Sequence, residues 1–164
     1  MIKALYYFLP ALIANMVPVL VKRVELFNYP VHKKWFGTHK TVRGIFFAVL
    51  SGFSVYLLQY LLFIKDVTSS ISIINYADTT LLLGLLLPLG AILGDLFESF
   101  VKRRLKIKEG KDWYPYDQLD FVLGALILSA PLYVLQGPNL FQIIIFAPLL
   151  SYILGKLAIR YMWK

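Results

Sequence analysis

The stretch TLLLGLLLPLGAILG, residues 80–94, decides the fold, and DLFESF, residues 95–100, complicates it. The leucines run together instead of alternating with polar residues, so the segment does not read as a strand of a membrane barrel. Extended to about 78–98, it is long enough for a helix to cross a hydrocarbon core of about 30 Å. A helix satisfies its own backbone hydrogen bonds in lipid, which makes it the expected form of such a run. Yet two carboxylates, Asp95 and Glu98, follow at once.

The rest of the chain repeats the apolar pattern. Of 164 residues 59% are hydrophobic, above the roughly 45–50% of a soluble domain, and the mean hydropathy is +0.70. Apolar runs at about 4–21, 43–64, 119–136 and 139–159 join 78–98. They predict an all-α integral membrane protein of about five transmembrane helices, forming one domain over 1–164. The first run lacks a small-residue cleavage site and is expected to stay as a span. QGPNL (136–140) predicts a tight turn between the last two spans. Pro18, Pro88, Pro131 and Pro148 fall within spans and predict kinks. The chain has no cysteine, which excludes disulfides, thiolate chemistry and cysteine-bound zinc.

Charge orients the bundle. Segments 22–43 and 99–118 carry six Lys or Arg each, and the C-terminal end carries Lys156, Arg160 and Lys164. With five spans these 15 bases share one side, against Lys3 and Lys65 on the other. The positive-inside rule then predicts two basic cytoplasmic loops, an outer N-terminus and a cytoplasmic C-terminus. Topology and attraction to anionic headgroups would account for the bases. They would not account for the acids among them.

Six of the nine acids lie between Asp95 and Asp120, at the cytoplasmic ends of the third and fourth spans. Asp95, Glu98 and Lys102 are spaced i, i+3, i+7 and share a helical face. Two readings fit Asp117 and Asp120: an N-cap with an N3 partner at the positive end of a helix dipole, or ligands for chemistry. A solvated helix end would explain Asp95, but an ionisable group at that depth is costly. Phosphate chemistry on a lipid accounts for both signs at once. Carboxylates hold Mg²⁺, Lys and Arg neutralise phosphate oxygens, and a lipid phosphate sits at the polar–apolar boundary. A transporter or channel subunit would place acids near the bilayer middle instead. A scaffold that only bound anionic lipid would give no reason for Asp95.

The first basic loop, YPVHKKWFGTHKTVRG (29–44), gathers small, hydroxylic and basic residues before the second span. Its glycines permit close backbone approach to a ligand. The spacing does not match a P-loop. An interfacial loop anchored by Trp35 and Phe36 is the plainer reading. His32 and His39 lack metal-ligand spacing and read as surface or headgroup contacts.

GTHKTVRG (37–44), GDLFESFVKRRLKIKEGKDW (94–113) and YPYDQLDFVLGA (114–125) together resemble the archaeal CDP-archaeol synthases. These are membrane cytidylyltransferases similar to CDP-diacylglycerol synthases. The wider signature of Ser, Lys-Arg, Lys-Asp and a closing Asp-x-x-Asp is matched by Ser99, Lys102-Arg103, Lys111-Asp112 and Asp117-x-x-Asp120. Where the larger relatives carry Gly-His-Gly-Gly, this chain has WYPY. The resemblance implies transfer of CMP from CTP to 2,3-bis-O-geranylgeranylglycerol 1-phosphate, with Mg²⁺, on the cytoplasmic face of the cell membrane. The partners it implies are CTP, the isoprenoid ether lipid phosphate and membrane lipids, with no nucleic acid. A CDP-diacylglycerol synthase or another lipid-phosphate transferase is the alternative enzyme. In that reaction Asp95, Asp117 and Asp120, with Glu98, are expected to hold Mg²⁺. Lys102, Arg103, Lys111 and Asp112 are expected to be catalytic. Gly37, Thr38, Lys40, Thr41, Arg43 and Ser99 are expected to bind nucleotide and phosphates. The lipid chains would lie where Gly84, Gly90 and Gly94 thin the third span.

Overall fold

The computed structural model describes residues 1–111 and 113–162, with side chains through Ala158. Asp112, expected to be catalytic, and Lys164 lie outside the described residues. The chain forms helices α1 (Ile2–Leu20), α2 (Lys33–Phe36), α3 (Val42–Ile64), α4 (Leu81–Arg104), α5 (Tyr116–Ser129) and α6 (Pro138–Met162). There is no named strand among the described residues, and one isolated bridge pairs Pro30 with Thr41.

Local chemistry sets the helix starts. The Thr41 hydroxyl accepts from the Gly44 N–H at 3.2 Å and caps α3. Thr80 does the same for α4 through the Leu82 N–H. Such caps satisfy amide donors that have no partner within the helix. The link predicted as a turn holds Gly137 at φ +59°. Pro138 then opens α6, at a position where its missing N–H costs nothing. Lys102, Arg103 and Arg104 close α4 at the negative end of its dipole.

α1, α3, α4 and α6 are long and apolar enough to cross a membrane. The segment expected as a helix over 119–136 differs. α5 has 14 residues and stops at Ser129, a length of about 21 Å. Pro131 ends this helix rather than kinking it: Ala130 keeps helical angles and bonds back to Leu126, but the proline has no N–H to carry the ladder on. The chain beyond stays packed, with Leu135 buried in the core and Tyr133 5.4 Å from Tyr7.

Contacts define two ends of the bundle. At one end the start of α1 meets the end of α3 and the 65–80 connection: Gln59 donates to the Tyr6 carbonyl, and Tyr6 and Tyr76 pack edge to face. At the other end Pro18 of α1 touches Gly44 of α3, near Lys40 and Asp95. α4 and α5 run antiparallel, with Gly90 against Gly124 and Gly94 against Asp120. Both basic loops therefore lie at the same end.

Candidate active site

The site forms where α4 and α5 come closest. A Cβ on Gly94 would overlap the carbonyl oxygen of Asp120, and one on Gly90 would meet Gly124. Glycines four apart let two membrane helices approach backbone to backbone. α4 also continues past its apolar run to Arg104, so Asp95, Glu98 and Lys102 do share a face. Asp120 of α5 is thereby brought to that face. One carboxylate oxygen from each of Asp95, Glu98 and Asp120 lies within 4.8 Å of the other two.

Asp117 stands beside this triad rather than in it. Its carboxylate accepts from Lys102 Nζ at 3.0 and 3.2 Å and from the Trp113 N–H at 2.7 Å. It thus stabilises the turn leading into α5 instead of capping that helix. Lys102, 8% exposed, also lies 3.3 Å from Glu98. Lys40 Nζ reaches both oxygens of Asp95, at 2.5 and 2.6 Å. Burial works against the Lys40 charge, but the adjoining carboxylate outweighs it and holds the ammonium above its ordinary pKa.

These groups surround a charged cavity of about 290 Å³, which Phe36, Ser99, Arg103, His39, Glu109 and Gly110 complete. Five carboxylates face three fixed cations in the lining. When all are ionised, two positive charges are missing. Carboxylates this close oppose one another's ionisation unless a cation lies between them. The donor set of hard oxygens therefore fits a divalent metal ion.

The other expected residues fall into separate places. Thr38 donates its N–H and its hydroxyl to Glu109, and Gly37 precedes it at φ +88°. The Thr41 hydroxyl is engaged as the α3 cap. Arg43, 6% exposed, donates to the Val24 carbonyl and ties the 21–27 segment to α3. Thr41 and Arg43, with Lys22, line a separate cavity of about 190 Å³ that shares Lys40, His39 and Asp95 with the charged one. Lys111 is exposed and lines neither. Ser99 is buried beside Glu98. His32 caps the single turn of α2 through Nδ1 and packs on Trp35.

Two features were not assigned from the sequence. One is Glu109, a member of the acid cluster given no role there. The other is an apolar groove of about 560 Å³ between α4 and α5, running from Leu128 and Ile127 to Trp113 and Tyr116. Gly90 and Gly94 line it, whereas Gly84 packs on Tyr56 of α3. Glu98 and Asp120 line both the groove and the charged cavity, so the two spaces meet at the triad.

A carboxylate triad flanked by lysines, where an apolar groove reaches the end of membrane helices, defines an intramembrane enzyme of phosphate chemistry. Comparison with known proteins makes this specific. The CarS-like family model, CDP-archaeol synthase, matches residues 1–164. The CDP-archaeol synthase of Methanococcus maripaludis strain C7 is 35% identical over 170 aligned positions, covering 98% of this chain and 94% of that protein. The one from Thermococcus gammatolerans is 34% identical, covering 98% and 92%. A solved structure, "Structural insight into an intramembrane enzyme for archaeal membrane lipids biosynthesis", superposes with a TM-score of 0.69 at 30% identity, covering 94% of this chain and 92% of that one. The chain belongs to the CDP-archaeol synthase family, as its motifs imply. It is a CTP-using cytidylyltransferase of archaeal membrane-lipid synthesis.

Proposed function

We propose that the chain transfers CMP from CTP to 2,3-bis-O-geranylgeranylglycerol 1-phosphate, with Mg²⁺, at the cytoplasmic face of the membrane. The observation that carries this reading is the meeting of charged cavity and apolar groove at Glu98 and Asp120. A phosphate on an isoprenoid tail needs both environments within one headgroup length. The 15-to-2 split of basic residues supports the cytoplasmic placement, as does the position of both loops at one end of the bundle.

The acceptor phosphate is already an anion near neutral pH, so its oxygen needs no strong general base. That oxygen attacks the α-phosphorus of CTP. A new P–O bond forms, the bond to the β-phosphate oxygen breaks, and pyrophosphate leaves. Catalysis then consists of alignment and charge neutralisation. Asp95, Glu98 and Asp120 would hold the divalent ion, which supplies positive charge against the phosphate oxygens. Asp117 fixes Lys102, and Asp95 fixes Lys40, so that two ammonium groups stay at the cavity wall. Arg103, whose Nε makes no hydrogen bond, adds a third cation. The groove holds the geranylgeranyl chains against Leu93, Leu123 and Ile127.

The test uses the purified protein with radiolabelled CTP and the geranylgeranyl ether phosphate. Label is expected in the lipid phase with stoichiometric pyrophosphate release, abolished by EDTA and restored by Mg²⁺. Turnover that survives EDTA would remove the metal from this reading. Label transfer to diacyl phosphatidate, and not to the ether lipid, would replace the acceptor.

A further inference from the structure

The Glu109 carboxylate is tied to the loop that follows α2. The Thr38 N–H lies 3.1 and 3.2 Å from its two oxygens, the Thr38 hydroxyl donates at 2.7 Å, and His39 Nε2 lies 3.6 Å away. Both hydrogen-bond donors belong to Thr38, just after Gly37 at positive φ, and His39 is the next residue along. Glu109 lies flat on that glycine, so that a Cβ there would be 2.7 Å from Oε1. A backbone N–H and a hydroxyl aimed the same way suit an anion with several oxygens. The Thr38 hydroxyl holds the Glu109 carboxyl below the usual carboxylate range.

Glu109 is 71 residues from Thr38 in sequence and sits on the exposed loop between α4 and α5. Gly110 follows it at φ +75°. Glu109 and His39 line the charged cavity, with Arg103 among the same lining residues. A carboxylate brings one charge and two oxygens to these donors. A terminal phosphate brings about two charges and three oxygens, and is the better match. The two anions exclude each other, because their like charges would share one small concavity.

We propose that Glu109 is an internal stand-in for phosphate: it occupies the Thr38–His39 cradle in the empty enzyme, and the polyphosphate tail of the nucleotide displaces it. This inference rests on the CTP-using reaction proposed above. It makes Glu109 leave Thr38 when nucleotide binds, and it makes Glu109 a determinant of nucleotide affinity. Apparent affinity falls by the fraction of molecules in which the cradle is open. If about one molecule in five is open, removing the stand-in tightens CTP binding about fivefold.

The test compares Glu109→Gln and Glu109→Ala with the parent protein at saturating lipid. Glu109→Gln preserves the shape of the side chain that Glu109→Ala removes. Both should lower the KM for CTP and the inhibition constant of pyrophosphate, by about fivefold for Ala and less for Gln. The melting temperature should fall or stay level while affinity rises. A merely structural tie would lower the melting temperature and raise KM together, and that outcome overturns the proposal. An unchanged KM in both variants overturns it as well, and so does a raised Mg²⁺ requirement, which would make Glu109 a metal ligand. Failure of the parent protein to turn over CTP would instead remove the reaction on which the inference rests.

Discussion

The two ends of the bundle handle polar groups in opposite ways. At the end away from the site, buried polarity is neutral and mostly aromatic. Tyr56 bonds Thr79, Gln59 bonds the Tyr6 backbone, and Tyr76 is ringed by Tyr6, Tyr56 and Phe63. The large core cluster extends into this end and includes Tyr7, Tyr56, Ile74, Tyr76 and Leu135. The charged end has a separate cluster of four buried apolar residues, Ala14, Ala48, Ile92 and Leu96. Above them a cavity is lined by carboxylates, lysines and Arg103. Packing is concentrated where there is no chemistry, and chemistry is placed where packing is thin. Five carboxylates set against only three fixed cations destabilise the end that carries them, so the fold must be secured elsewhere.

This contrast can be broken most forcefully at Tyr76. Truncating a fully buried ring leaves a cavity, and Tyr76→Ala is expected to cost about 3–5 kcal/mol of stability. Equilibrium unfolding in detergent should show that loss. Cytidylyl transfer below the new melting point should stay near the parent rate, and a rate that fell as far as the stability would tie the two ends together.

Asp120→Asn should do the reverse. Losing one of the three carboxylates that would hold the divalent ion weakens the positive charge set against the phosphates and is expected to reduce kcat by about 10²–10³. The melting temperature should hold or rise, because crowding among the carboxylates is relieved. An active Asp120→Asn would take the triad out of the mechanism. Asp117→Asn sharpens the distinction between neighbouring acids: it should loosen Lys102 and lower activity less than Asp120→Asn does.

Gly94→Ala links packing to chemistry. The added methyl forces α5 away from α4 and is expected to cost about 1–3 kcal/mol, with a loss of activity out of proportion because Asp120 moves away from Asp95. Gly155→Ala, where nothing lies within 4 Å of the added atom, is the control. The smallest effect belongs to Thr41→Ala, which removes the α3 cap and should cost about 1 kcal/mol. The KM for CTP should not change if capping is the main role of Thr41. A large rise in KM would restore the nucleotide contact expected from its motif.

Several parts of the site were legible before any coordinates. Asp95, Glu98 and Lys102 share a face because helical periodicity is a local property, and α4 obeys it through Arg104. Of the glycines expected beside lipid chains, Gly90 and Gly94 both pack against α5 and line the apolar groove, whereas Gly84 packs on Tyr56. Asp117 and Asp120 have the same spacing in either role, capping or ligation, so spacing alone did not separate them. The fold gives them different surroundings: Trp113 and Lys102 bond Asp117, and the close approach at Gly94 brings Asp120 near Asp95 and Glu98. Arg43 reads as a phosphate ligand in its motif, and in the fold it lines the smaller cavity while donating to the Val24 carbonyl. That partner lies 19 residues away with no periodic relation.

From the linear chain alone came the membrane class, the helical form of the apolar runs, the basic bias of one face and the motifs of a cytidylyltransferase family. Each depends on residue type and short-range order, which transfer energies and helical geometry read directly. The folded bundle decided which three of the acids meet, where Glu109 docks, that Pro131 cuts the fourth helix short, and that an apolar groove opens onto the carboxylates. These depend on how closely two helices pass, a distance set by glycines facing each other across space and not by any neighbour in sequence.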